Sequence, residues 1–523
     1  VESGSAVLAS QAESIQDLAN YSGGDIDITD SAANLISAGD HVLNVTGVDT
    51  VTVNDGNGGA TVTAQDGADL SGFTADVDFD VVDDVADLKA IMGQNDAASY
   101  LTEANSITVD NGSGDRVVGA QDGAILASFT ADVDFDVVAT ADEIAAELTG
   151  SIAPGTGVNS LDEAADVVVS GGDVDAEDAA AIMQISGYNT GGSQFEITDD
   201  VASVISAGTG VIENGGVFKV EVTGVADVSE GVALNTYTSN VEFDVSGTAD
   251  DIFAEVNNLG DADDVFVVSG DVSISEAQSI QSLGGYNASG STYEIEDSAA
   301  NITASNDQLM QNGTIKVDVT DTDVNASIGN TLAAFTADIE FDVSDTAANI
   351  AAQIAAGNGT NGTGYGADSL EDAGSVVVES GSAVLASQAE SIQDLVNYSG
   401  GDIDITDSAA NLISAGDDVL NVTGVDTVTV SDISGSAAVT AQDGAILAGF
   451  TADVEFDVAD TAANIAAEVM GANSATDLDE ALSVVVQSGD AVSVAEAGAI
   501  QGISGYTGAA DLDIEDSAAA LIS

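Results

Sequence analysis

Carboxylates dominate the chemistry that this sequence could perform, and they occur in closely spaced pairs. Asp78 and Asp80 form one such pair, and Glu340 and Asp342 form another. Hydrolysis by two carboxyl groups needs surroundings that push their pKa values apart. These pairs instead recur at the outward positions of predicted strands, without an electrophilic partner in the motif. We therefore expect a solvated acidic surface, and we expect that the protein is not an enzyme.

Calcium binding is the alternative use of such groups, because Ca²⁺ takes its ligands from Asp, Asn and backbone carbonyl oxygens. Two turn segments have these residue types, NDGNGG (Asn54–Gly59) and DNGSGD (Asp110–Asp115). Neither matches an EF-hand loop or an intact calcium-binding nonapeptide, so a polar turn without a metal is the other interpretation. The candidate calcium ligands are Asp55, Asn57, Asp110 and Asp115.

The charge balance of the chain excludes two classes of partner. Its 523 residues include 91 acidic and four basic ones, which gives a formal net charge of −87. Nucleic acids and anionic membrane surfaces both require a basic footprint. Counter-ions must accompany so large a charge, so we expect divalent cations as partners. The chain has no cysteine, which excludes disulfides, thiolate metal sites and a cysteine nucleophile.

The hydrophobic content predicts a folded chain in spite of this charge. Hydrophobic residues make up 44% of the sequence, and Val, Ile and Leu recur at regular intervals. Large side chains are scarce, with no Trp, 13 Phe and nine Tyr, so we expect a thin core. No apolar run approaches the roughly 18 residues of a membrane-spanning helix.

Internal repetition is the clearest signal in the sequence. Residues Val1–Val53 recur as Val378–Val430 with only two differences, Ala19 against Val396 and His41 against Asp418. Weaker copies fill the rest, and we interpret residues 1–523 as one continuous array of about ten strand–helix–strand–helix units. Both ends of the sequence fall inside a repeat, so we expect it to be a window of a longer array.

Each repeat has readable strand and helix signals. In FTADVDFDV (Phe73–Val81) hydrophobic residues alternate with Asp, which predicts a strand with one buried face. The helices that follow have start signals such as the capping box Ser273-x-x-Glu276. An Asp before Ser/Thr-Ala-Ala is predicted to cap the next helix, as at Asp30, Asp297, Asp345, Asp407, Asp460 and Asp516. The Asn of the same motif is predicted to bond the backbone of an adjacent coil, as at Asn34, Asn301, Asn349, Asn411 and Asn464.

Strands that alternate with short helices favour parallel strands joined by right-handed crossovers. The predicted fold is therefore an α/β repeat, a right-handed solenoid with parallel strands on one side and short helices on the other. A string of small separate α/β domains is the alternative.

The motif V-x-D-[ST]-A-A-N-[IL], present as VSDTAANI, ITDSAANL and VADTAANI, resembles the large repetitive "beta strand repeat" proteins of bacterial cell surfaces. The resemblance covers essentially the whole chain. It implies export by type I secretion and a role in surface layers, adhesins or fibres.

These observations together predict an extracellular structural protein. We expect a repeat segment of a bacterial surface filament, sheath or surface layer that assembles with other copies of itself, with calcium as the expected bridging ion. An adhesin stalk, or a ligand-binding module that uses the acidic sheet face, is the alternative function.

Overall fold

The computed structural model describes residues 6–56, 59–92, 101, 103–128, 132–149, 161–357, 370–381, 383–431, 438–471, 478–487, 491–508 and 512–522. Short parallel strands alternate with short helices along these residues, as the sequence predicts. No helix in these ranges combines the length and the apolar character that crossing a membrane requires.

The strands are mostly two to six residues long. In chain order they are β1 Ala6–Val7, β2 Ile26–Asp30, β3 Val48–Val53, β4 Thr61–Val62, β5 Val77–Asp78, β6 Asp80–Asp83, β7 Ile107–Val109, β8 Val117–Val118, β9 Val133–Asp134, β10 Asp136–Ala139, β11 Asp166–Val169, β12 Asp173–Val174, β13 Phe195–Asp200, β14 Val217–Ala226, β15 Val241–Thr248, β16 Asp264–Ser269, β17 Asp271–Val272, β18 Tyr293–Asp297, β19 Thr314–Val319, β20 Ile339–Glu340, β21 Val343–Thr346, β22 Val376–Glu379, β23 Tyr398–Gly401, β24 Ile403–Asp407, β25 Val425–Val430, β26 Ala438–Val439, β27 Val454–Glu455, β28 Asp457–Thr461 and β29 Ser483–Gln487.

The helices have one to three turns, too short to be stable alone in water. In chain order they are α1 Ala9–Gln16, α2 Ala32–Ala38, α3 Asp40–Leu43, α4 Ala64–Ser71, α5 Val85–Met92, α6 Ala120–Leu126, α7 Ala141–Thr149, α8 Ala176–Met183, α9 Val201–Ala207, α10 Thr209–Ile212, α11 Val228–Leu234, α12 Ala249–Ala254, α13 Ile274–Gln281, α14 Ala299–Ala304, α15 Asp307–Gln311, α16 Ala326–Leu332, α17 Ala347–Gly357, α18 Ala386–Gln393, α19 Ala409–Ala415, α20 Asp417–Leu420, α21 Ala441–Leu447, α22 Ala462–Val469, α23 Val494–Gln501 and α24 Ala518–Leu521. The described residues also include the 3₁₀ turns Val256–Asn258 and Ala288–Gly290.

The chain divides into two compact units, which consist of 1–246 with 255–266 and 283–285, and of 247–254 with 267–282 and 286–523. The first unit contains the parallel ladders β1-β2-β3-β5, β4-β6-β7-β9 and β8-β10-β11, and a further ladder from β12 through β13 and β14 to β15. The second unit contains β17-β18-β19-β20, β21-β22-β23, β24-β25-β27 and β26-β28-β29. The pairing confirms an α/β fold with parallel strands.

In each copy of the FTADVDFDV motif, the two halves of one segment pair with strands of two different ladders. In the first copy, Val77 pairs with Val51 while Val81 pairs with Val62 and with Ile107. Phe79 lies between the two halves and is fully buried, while Asp78 is exposed. The predicted alternation of buried apolar and outward acidic residues is therefore confirmed for this strand.

An Asp at the junction between strand and helix joins the starts of two helices. Asp30 Oδ2 accepts a hydrogen bond from the Ala9 N–H of the preceding helix at 3.0 Å, and its Oδ1 accepts one from the next N–H, that of Ser31, at 2.8 Å. We call this arrangement the aspartate bridge. Its members are Asp30, Asp83, Asp199, Asp297, Asp345, Asp407, Asp460 and Asp516.

The aspartate bridge corrects two predictions. The residue that caps the next helix is the Ser or Thr after the Asp, as Ser31 does for the Asn34 N–H, because the Asp is the last residue of the strand and reaches back to the earlier helix. The repeated Asn was predicted to bond an adjacent coil, and this is wrong. Asn34 Nδ2 donates to Asp30 Oδ1 at 2.7 Å, and the same bond forms at Asn301, Asn349, Asn411 and Asn464.

Candidate functional site

The turn that contains Asp110 and Asp115 is closed by its own hydrogen bonds. Asp110 Oδ1 accepts from the N–H groups of Gly112 at 2.9 Å and Gly114 at 2.8 Å. Asp115 Oδ1 accepts from the Val117 N–H at 3.1 Å, and its carbonyl oxygen accepts from the Asn111 N–H at 2.8 Å. In Asp110 and in Asp115, one carboxylate oxygen is therefore already engaged in forming the turn.

The other predicted calcium turn is described only in part. Asp55 is exposed, and the preceding Asn54 uses its Oδ1 to accept from the Gly56 N–H at 3.0 Å. Asn57 lies outside the described residues. The structure thus places Asp110 and Asp115 on one turn and Asp55 on another, which leaves the calcium assignment a prediction at both turns.

A third acidic group was not predicted from the sequence. Asp83, Asp84 and Asp87 each offer one carboxylate oxygen, and these oxygens lie within 4.8 Å of one another. Asp83 ends β6, Asp84 directly precedes α5 and Asp87 lies in its first turn, so the junction of strand and helix brings them together. Among the described residues this group could hold a divalent cation through carboxylates, with both Asp83 oxygens at the same time accepting from the Ala64 N–H at 2.8 Å and the Asp84 N–H at 2.9 Å.

A change in the repeat motif explains why this group is unusual. Asp87 occupies the position where other repeats have the Asn that donates to the bridging Asp, as Asn34 does to Asp30. A carboxylate has no proton to donate, so two acidic side chains face each other instead. Repulsion by Asp84, then by Asp83, and to a lesser extent burial, raises the pKa of Asp87. The sequence signal for this group is VVDDVAD (Val81–Asp87), which stands where other repeats have V-x-D-[ST]-A-A-N-[IL].

The outward strand faces hold carboxylates that accept hydrogen bonds from a later segment of the chain. Asp80 Oδ1 accepts from Ser106 Oγ at 2.6 Å, Asp78 accepts from the side chain of Asn105, and Asp342 Oδ1 accepts from Ser375 Oγ at 2.8 Å. These carboxylates lie on an acidic surface and accept hydrogen bonds from side chains of a neighbouring repeat. Their role in these contacts is structural.

Two lysines neutralise the acidic face where carboxylates of adjacent strands stand opposite each other. Lys219 Nζ lies 3.2 Å from Glu221 on its own strand and 2.9 Å from Glu242 on the neighbouring one. Hydrogen bonds to Glu242 and then to Glu221 raise the pKa of Lys219, which keeps it charged. Lys316 repeats the arrangement at 2.9 Å from Asp318 and 2.8 Å from Glu340. Each lysine therefore pairs with a carboxylate of its own strand and with one of the neighbouring strand.

No protein-family model matches this chain, and a search of curated proteins finds no match either. The resemblance to bacterial surface repeats thus stays a prediction.

Proposed function

We propose that this chain is a structural repeat segment of an extracellular bacterial filament, sheath or surface layer. Catalysis has no part in the proposal. The observation that carries it is the aspartate bridge, which recurs in both units and ties consecutive helix starts through the same two hydrogen bonds. Repetition of one bonding pattern is the way that solenoid proteins gain length from nearest-neighbour contacts.

Within each unit, the proposed architecture is a run of coils of a right-handed solenoid. Two features support it: consecutive strands pair in parallel, and consecutive helices such as α6, α7 and α8 contact one another. The strands would then form one side of each coil and the helices the other. Each added coil would cover the apolar edge of the one before it.

Cations complete the proposal because acidic coils repel one another across any interface between copies. With a formal net charge of −87, close approach of two chains needs counter-ions, and divalent ions can bridge carboxylates of both. We propose calcium in this role, with secretion to the cell surface as the location.

Self-association of the full chain tests this function. We expect ordered filaments or sheets by negative-stain microscopy in millimolar calcium, and single particles with a chelator at matched ionic strength. Sedimentation velocity on the same samples should show a matching change in size. Single particles in both buffers would contradict assembly and favour the stalk of an adhesin.

A further inference from the structure

The helices α6 and α21 have the same sequence, AQDGAIL, but their first turns are held differently. In α21 the Ala441 N–H donates to the bridging Asp460 at 3.0 Å. Thr440 Oγ1 also accepts from the Asp443 N–H at 3.1 Å. In α6 the N-cap is Gly119, which has no side chain to accept such a bond. Because the two helices are identical in sequence, any difference in their stability comes from their surroundings.

The aspartate bridge is missing at α6. Ala139 stands at the position that Asp460 has in the α21 copy, and Glu143 replaces the Asn464 that donates to the bridge there. Among the described residues, no acceptor bonds to the Ala120 N–H, the first of α6. Ala120 is buried, and a buried N–H without an acceptor costs free energy. The start of α6 therefore lacks both of the bonds that hold the start of α21.

Charge acts in the same direction. A depression of about 410 Å³ lies between the start of α6 and α7. Three carboxylates line it: Asp122, Glu143 and Glu147. The α21 copy has Asn464 where Glu143 stands, so Glu143 is an extra negative charge between the two helices. Lys89 pairs with Asp122, but both side chains are about one third exposed, and surface pairs of this kind contribute little.

The helix α6 covers part of the apolar core of the first unit. A Cβ at Gly123 would lie 2.7 Å from Val137 Cγ2 and 3.2 Å from Phe135 Cε2, and both of these side chains are fully buried. We propose that α6 is a local opening site, which leaves α7 and the sheet while the rest of the first unit stays folded. In the filament proposed above, α6 would give way under load before α21, a consequence that rests on the proposed function.

Hydrogen exchange of the full chain, followed by mass spectrometry in chelator at neutral pH, tests the opening without assembly. The amides of residues 121–126 have the same intrinsic exchange rates as those of residues 442–447, because the two sequences are identical. Loss of a bond to a charged acceptor predicts exchange about ten- to a hundredfold faster in α6. Equal or slower exchange in α6 would overturn the proposal, whether or not the chain forms filaments.

Variants at the two junctions test the cause. A139D with E143N restores at α6 the motif of the α21 copy, so we expect exchange in α6 to slow about tenfold or more. D460A removes the bridge at α21 and should speed exchange there by a similar factor, with α6 as the internal control. Unchanged exchange of α6 in the first variant, or of α21 in the second, would overturn the proposal, because the bridge would then not control opening.

Discussion

At the scale of single residues, the aspartate bridge makes ionised carboxylates part of the fold. Burial pushes the pKa of Asp297 upward, but the hydrogen bonds from Asn301, Ile274 and Ser298 outweigh burial, so its pKa is lowered. The pKa of Asp460 is lowered by the same kind of balance, in which burial is opposed by bonds from Ala441, Asn464 and Thr461. These bonds favour the charged form and hold two helix starts together.

A pH prediction follows from the direction of this shift. A group whose folded pKa is lowered contributes stability above its unfolded pKa, about 3.9 for Asp, and loses it as pH falls through the folded pKa. The contribution of Asp297 should thus be complete at neutral pH and disappear in acid. The Ile274 amide signal in NMR, which reports on the bond to Asp297, should titrate with a midpoint below the ordinary Asp value.

Removal of one donor checks the cause. N301A deletes the bond from Asn301 to Asp297, so we expect the midpoint of the Ile274 signal to move upward. N349A makes the same change at Asp345 and serves as the control, with no effect on Ile274. An Ile274 signal with the same midpoint in wild type and N301A would contradict the proposed balance.

At the scale of elements, glycines inside helices set how closely a helix approaches the sheet. A Cβ at Gly444 in α21 would lie 2.9 Å from Val458 Cγ2 and 3.2 Å from Phe456 Cε2. Gly498 in α23 has no heavy atom within 4 Å of the same position. Both are helical glycines, yet only the first is required by packing.

Opposite effects of one substitution are therefore expected. G498A should stabilise the protein by about 0.5–1 kcal/mol, because Ala is the better helix former. G444A gains the same propensity but must push helix and strand apart, and overpacking of this kind costs about 1–3 kcal/mol. Urea unfolding followed by circular dichroism checks both. Stabilisation by G444A would show that the helix can shift without cost.

The elements also show what the sequence could and could not reveal. The alternation in FTADVDFDV and the capping box at Ser273 were readable because their partners lie within a few residues, and the structure confirms them. The partner of Asp30 is the Ala9 amide, which belongs to an earlier helix. A local pattern identifies the Asp but not this distant bond, so Asp30 was interpreted as a cap of its own helix. The acidic group at Asp83 was missed for a related reason, since it arises from one Asn-to-Asp change in a familiar motif.

At the scale of the whole molecule, the net charge of −87 means that carboxylates repel one another throughout the fold. Screening by salt weakens repulsion between exposed charges, with a Debye length of about 10 Å at 0.1 M ionic strength. Monovalent salt should therefore raise the melting temperature. The four basic residues are all paired with carboxylates, so they offset only a small part of this charge.

Calcium should stabilise the chain beyond this screening. Bound between carboxylates, it neutralises charges that screening only weakens, so melting followed by circular dichroism should occur at higher temperature in calcium than in sodium chloride of equal ionic strength.

D87N tests the acidic group at Asp83, because it restores the Asn that donates to the bridging Asp in other repeats. We expect D87N to melt at higher temperature in chelator and to gain less from calcium than wild type. E13Q, which removes one exposed charge elsewhere, should keep the full gain. Coincident melting curves in calcium and sodium at equal ionic strength would show that calcium acts through screening alone, and equal gains in D87N and E13Q would place its binding away from Asp83.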